Sequence, residues 1–135
     1  MIHHEGTKGT KARALWVSHA VIGAAIEVHR YLAPGLLESL YEKALARVLW
    51  LRGLDVRRQV PVRLAYKGAD LDSCVRMNLV VQRVVIVEVK STAQLAPIHR
   101  AQLLTYLRLS NTRVGLRINF DTELLRRGIK RMLNG

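Results

Sequence analysis

The residues of this chain best placed for chemistry are polar groups inside apolar runs. Asn78 interrupts the run Leu71 to Val81, and Glu88 and Lys90 interrupt the Val-rich run from Val84, with only Gln82-Arg83 between the two. A charge in an apolar strand is costly unless it is partnered or binds something. If Gln82-Arg83 is a short turn, facing residue numbers sum to about 165 or 166, which sets Asn78 opposite Glu88 or Val87. In the register that pairs Asn78 with Glu88 the two share a face, with about 5 Å between their Cβ atoms, and Lys90 points the same way. An amide oxygen, a carboxylate and an ammonium converging there suit metal-assisted phosphodiester cleavage. The oxygens hold a hard cation such as Mg²⁺, and the ammonium orients a water or offsets charge on phosphate oxygens. The plain alternative is a buried Glu88–Lys90 pair at a strand end. A second group lies on helices: Glu38 three residues before Tyr41, and Gln102 four residues before Tyr106, each pair on one or neighbouring faces.

The elements that must position these groups follow from the pattern. Residues 1–13 are polar and aperiodic and read as a disordered N-terminal segment, with the domain occupying 14–135. Val17, Val21, Ala24, Ala25 and Val28 have helical spacing, and that helix ends before Pro34-Gly35. A second helix runs from Leu36 to about Leu51, with Leu37, Leu40, Tyr41, Ala44, Leu45, Val48 and Leu49 as its apolar stripe and Gly53 as its cap. Val56 to Leu71 alternates as two or three strands, with Lys67-Gly68 a turn. Leu71 to Val81 and Val84 to Val89 read as a buried hairpin of central strands, with Cys74 as a small buried hydrophobe. Pro97 opens a third helix to about Leu109 that buries Ile98, Ala101, Leu103 or Leu104, and Leu107. Val114 to Phe120 is a strand, and Glu123 to Leu133 a short basic helix. The order predicts a small mixed sheet flanked by helices.

Composition narrows the partners. Lys and Arg number 22 against 10 Asp and Glu, a formal charge of +12. That excess predicts a polyanionic partner. Sixteen of the 22 are Arg, whose planar fork grips phosphate and stacks on bases, so nucleic acid, DNA or RNA, is favoured over a lipid surface. A single cysteine excludes an intrachain disulfide and argues against an oxidising compartment. The longest smooth apolar run, Ala20 to Ile26, is too short to span a bilayer. A cytoplasmic protein with no membrane association is expected, and a homo-oligomer or a partner chain that completes a substrate groove is left open.

Four phrases in order, Val21-Ile22-Gly23-Ala24-Ala25-Ile26-Glu27-Val28-His29, Pro34-Gly35-Leu36-Leu37-Glu38-Ser39-Leu40-Tyr41, Val85-Ile86-Val87-Glu88-Val89-Lys90 and Ala101-Gln102-Leu103-Leu104-Thr105-Tyr106-Leu107, closely resemble the GxxExxY protein family. That family is placed in the PD-(D/E)XK nuclease superfamily. The resemblance implies an α/β fold, more closely an α+β mixed sheet flanked by helices, with a restriction-endonuclease-like PD-(D/E)XK core. It implies Mg²⁺ or Mn²⁺ as cofactor and hydrolysis of phosphodiester bonds in nucleic acid. Glu88 and Lys90 then match the (D/E)-x-K, with Glu88 a metal ligand. Gln102 and Tyr106 resemble a Gln-x-x-x-Tyr helix beside the site, and Glu38 resembles a helix acid that assists the metal.

One departure bears on activity. Where the family usually has an Asp, this chain reads Arg76-Met77-Asn78-Leu79, so the expected metal ligand is an amide. Its oxygen can ligate but brings no charge, and divalent affinity depends on ligand charge. Gln82 and Ser91 also depart from the family pattern, and both read as incidental. Asp72, on the same strand, lies too far from Asn78 to take its place. Two functions therefore stand: a weakened Mg²⁺-dependent nuclease, or a catalytically inactive nucleic-acid-binding or assembly module of the same fold.

Overall fold

Helix α1 spans Ile2–Leu32 in the computed structural model, which describes residues 2–135, with side-chain surroundings from Gly9 onward. Residues 9–13 are exposed, and Ala14 is the first buried side chain among the described residues. The chain continues through α2 (Glu38–Leu51), β1 (Val56–Tyr66), β2 (Ala69–Val81), β3 (Val85–Lys90), α3 (Pro97–Leu109), β4 (Val114–Asn119), a 3₁₀ turn (Leu125–Gly128) and β5 (Ile129–Leu133).

The five strands form one sheet in the order β1-β2-β3-β4-β5. It is mixed: β3 and β4 run parallel, joined through α3, and every other neighbouring pair is antiparallel. A parallel pair needs a crossover, and the helix that supplies it covers one face. Val85, Val87 and Val89 of β3 pack with Leu116 and Ile118 of β4 against Val17, Val21, Ala24 and Val28 of α1 and Tyr41, Leu45 and Leu49 of α2. Ile86 points to the other face, into a smaller core with Leu103, Tyr106 and Leu107 of α3. β3 is thus covered on both sides, which is why it reads as unbroken Val and Ile.

Strands β1 and β2 change faces partway along. Val56, Leu79 and Val81 pack with the α1/α2 core, whereas Val60, Val62, Val75 and Met77, of matching parity, pack with the α3 core. Strict alternation would keep each set on one face. The swap falls between Arg58↔Leu79 and Val60↔Met77, at Gln59 and Asn78, and Gln59 has φ of 53°. The β2–β3 ladder also stops there, its last pair being Leu79↔Val87.

Several expectations need correcting. The first half of β2 is exposed, because β2 has 13 residues and β3 only six, so the far end pairs with β1 alone. Leu71 and Cys74 lie in that overhang and are exposed. Val56 to Tyr66 is one strand, and Ala69 already belongs to β2. Leu37, just before α2, Leu40 of α2, and Ile98 and Ala101 of α3 face solvent. The expected C-terminal helix is instead the 3₁₀ turn and β5. A Cβ on Gly128 would lie 2.2 Å from the Asn119 carbonyl oxygen, a close approach that folds the chain back so that Ile129–Leu133 pairs along the open edge of β4.

Candidate active site

The loop before α2 is fixed by its own motif residues. Gly35 has φ of +103°, a conformation open to glycine at low cost. Tyr41 is fully buried, stacks on Phe120 at 4.5 Å between ring centroids, and places its hydroxyl back under the loop. That hydroxyl donates to the Ala33 carbonyl and accepts the Leu36 N–H at 3.1 Å. The loop also docks on the end of β3: the Ser91 hydroxyl donates to the Leu36 carbonyl at 2.6 Å. Glu38, the first residue of α2, is held beside the same strand end, where its carboxylate accepts the Ser91 N–H at 3.4 Å. Ser91 therefore helps to hold the loop, although the sequence suggests an incidental change.

Asn78 sits where the ladder ends. The β2–β3 register sums to 166 through Leu79↔Val87, and continuing it sets Asn78 opposite Glu88. The side chains take over there: the Val89 N–H donates to Asn78 Oδ1 at 2.9 Å, and the Asn78 N–H reaches Glu88 Oε1 at 3.4 Å. Asn78 Nδ2 donates to Glu42 Oε1 at 2.7 Å. Glu42 is buried, and it also accepts Gln59 Nε2 at 2.6 Å on Oε1, and Arg58 Nε and Nη2 at 3.2 and 3.1 Å on Oε2. A buried carboxylate needs such compensation, and here two guanidinium N–H groups on Oε2 and two amides on Oε1 provide it.

Glu88 is 5% exposed. Burial pushes its carboxyl up from 4.5 to about 7; the Asn78 N–H and the Lys90 ammonium oppose the shift, and the carboxylates of Glu38 and Glu42 add to it. Two further acids of the chain's ten thus bear on Glu88, in a protein of net charge +12. Lys90 is half-buried and makes no ion pair among the described residues, so no closed Glu88–Lys90 salt bridge forms. Tyr106, from the α3 side, is buried. Burial raises its hydroxyl pKa first and the Glu88 carboxylate raises it further, while a hydrogen bond with the Gln102 side chain lowers it.

Glu38, Asn78, Glu88, Lys90, Gln102 and Tyr106, all singled out from sequence, therefore gather around the end of β3. Asp72 stays apart on the exposed hairpin arm, beside Arg63. Glu42, Arg58 and Gln59 were missed. Glu42 carried a signal, since it falls three and seven residues before Leu45 and Leu49, a charge at the spacing of the apolar stripe. Gln82, another apparent incidental, clamps the turn to the α2–β1 link: its side chain accepts the Asp55 N–H at 2.6 Å and its own N–H donates to the Asp55 carbonyl at 2.7 Å.

The donors fit a divalent cation in kind. Glu38 and Glu88 are hard carboxylate oxygens, and Mg²⁺ is commonly held by one or two carboxylates, with water and substrate phosphate completing its shell. They make no ready cage: among the described residues no three His, Cys, Asp or Glu side chains converge as a metal-holding group. Asn78 Oδ1 is engaged by the Val89 N–H.

A mixed sheet with helices on both faces and an acid-x-lysine strand at its centre defines a nuclease-like α/β domain. A family model of the PD-(D/E)XK nuclease superfamily matches residues 16–132, and the chain belongs to that superfamily. No curated protein and no solved structure gives a significant match. No helix among the described residues is long and apolar enough to cross a membrane.

Proposed function

We propose that this domain binds nucleic acid and hydrolyses its phosphodiester bonds with Mg²⁺ or Mn²⁺, as a member of the GxxExxY branch of its superfamily, and that Asn78 leaves its metal affinity low. The observation that carries the reading is Glu88: a buried acid in a central strand, bonded to the Asn78 N–H, within electrostatic reach of the Glu38 and Glu42 carboxylates and two residues before a lysine. Such a concentration of negative charge is unfavourable in the free protein and suits a cation. Glu88 and Glu38 would hold the metal, which when bound polarises the phosphate and lowers the pKa of a water. Glu88 would give up its proton on taking that role. Lys90 orients the attacking water and offsets charge on the phosphate oxygens. Gln102 and Tyr106 position the strand from the α3 side.

A second reading, a binding module without catalysis, is favoured by one observation: both ends of the Asn78 carboxamide are already engaged, by Val89 and Glu42. A cleavage assay on single- and double-stranded substrates with Mg²⁺ or Mn²⁺ separates the two. Cleavage by the parent that vanishes in Glu88→Ala supports hydrolysis. A silent parent whose Asn78→Asp variant cleaves indicates a lapsed nuclease, and silence in both leaves the binding module.

A further inference from the structure

One strand over from Glu88, on the face covered by α3, lies a cavity of about 560 Å³ lined by Arg100 and Leu104 of α3, Arg117 of β4, and Lys130, Arg131 and Met132 of β5. The register connects it to the site: Glu88 pairs with Arg117, and Arg117 pairs with Lys130. Neighbouring strands are about 4.8 Å apart, so the two sites adjoin. Four of the lining residues are cations and none is an acid.

Arg117 is 8% exposed, and its Nε is a buried donor without a hydrogen-bond partner among the described residues. A buried guanidinium is nearly always satisfied, because it carries five donors and a charge that is costly to desolvate. Burial, and then the neighbouring Arg100, lower its pKa. Glu88 is its neighbour in register, yet no ion pair joins them among the described residues. Arg100, Lys130 and Arg131 are exposed at the rim, so among the four only the buried Arg117, between the apolar walls of Leu104 and Met132, is poorly screened.

We propose that this cavity is a phosphate-binding pocket, filled by a phosphate of the nucleic-acid strand that enters the adjoining site. Phosphate matches the guanidinium fork of Arg117 in geometry, and its charge offsets that of the buried Arg117, with Arg100, Lys130 and Arg131 at the rim. The inference rests on the nuclease reading only for the identity of the strand; the affinity for phosphate stands on the pocket itself. Two sources present the same chemistry, an internal phosphodiester and a terminal phosphomonoester.

The test begins with inorganic phosphate, added to the full chain at ionic strength matched with chloride, while the thermal midpoint is followed by circular dichroism. The parent midpoint should rise in phosphate. The rise should disappear in Arg117→Met and in the surface double variant Arg100→Ala/Lys130→Ala, which leaves the core intact. No phosphate-specific rise in the parent, or an equal rise in both variants, overturns the pocket. Labelled single strands bearing a 5′-phosphate, a 3′-phosphate or only hydroxyl ends are then bound without divalent cation. Preference of about tenfold for one phosphorylated end, lost in Arg117→Met, assigns the terminal source. Equal affinities that all fall about tenfold in Arg117→Met assign the internal one. Affinities unchanged by Arg117→Met overturn the assignment to nucleic acid. Phosphate binding without cleavage in the earlier assay sinks hydrolysis alone.

Discussion

Replacing Asn78 with aspartate changes one group and reverses an interaction. The Asn78 amide donates to Glu42 at 2.7 Å, and a carboxylate in its place has nothing to donate. Losing a hydrogen bond to a charged group costs about 1.5–3 kcal/mol. The introduced charge also faces the Glu42 carboxylate, and two such charges about 4 Å apart at an effective dielectric near 20 repel by about 4 kcal/mol. Protonation limits the damage, since the introduced carboxyl can take up a proton and donate again. At pH 7 that proton costs about 4 kcal/mol, three pH units above an ordinary aspartate. Asn78→Asp should therefore destabilise the metal-free domain by about 3–5 kcal/mol at pH 7. The introduced group has its folded-state pKa raised, so the deficit shrinks as pH falls and grows as pH rises through that pKa. Urea unfolding at pH 4.5, 7 and 8 measures it. Added Mg²⁺ should restore more stability to the variant than to the parent, by preferential binding to the folded state. Equal stability of the two proteins at pH 7, or a deficit that grows toward acid, would refute the role given to the Asn78–Glu42 bond.

Two further outcomes follow from the same geometry. Glu88 holds its proton in the folded state up to about pH 7, against 4.5 ordinarily. The folded protein therefore binds the extra proton between those values, and stability falls as pH rises across that window. Glu88→Gln should flatten this slope and be the more stable protein at pH 8 by about 3 kcal/mol, with the advantage gone below pH 4.5; pH-dependent urea unfolding reads it directly. Tyr41→Phe keeps the stack on Phe120 but strips the Ala33 carbonyl and the Leu36 N–H of their shared partner. A loss of about 1–3 kcal/mol is expected, with faster hydrogen exchange at the Leu36 amide.

Much of this architecture was legible because its signals are local. The α1 stripe and the Pro97 start of α3 depend on neighbours a turn away, and the Glu88-x-Lys90 strand is conspicuous as charge inside Val and Ile. What stayed hidden depends on partners far along the chain. The exposure of Cys74 follows from the unequal lengths of β2 and β3, which no window around Cys74 reveals. Ile129–Leu133 has helical spacing, but pairing with the open edge of β4 outweighs a weak intrinsic preference. Glu42 has only its place on the apolar stripe to mark it in sequence, and the meeting of Arg58, Gln59 and Asn78, 16 to 36 residues away, makes it a buried hub.

The point where β1 and β2 exchange faces gives Asn78 a further meaning. A carboxamide is chemically a peptide group, one carbonyl and one N–H donor set on a planar frame. At the seam, the Asn78 side chain receives an N–H from β3 and passes one to α2, as a rung of main chain would. The side chain splices the sheet to the helix across a gap in the backbone pattern. A carboxylate copies only the accepting half of that splice. On this view the residue at position 78 trades continuity of the scaffold against charge for a cation, and a chain that restores the charge has to rebuild the join elsewhere, with Glu42 the first place to look for the matching change.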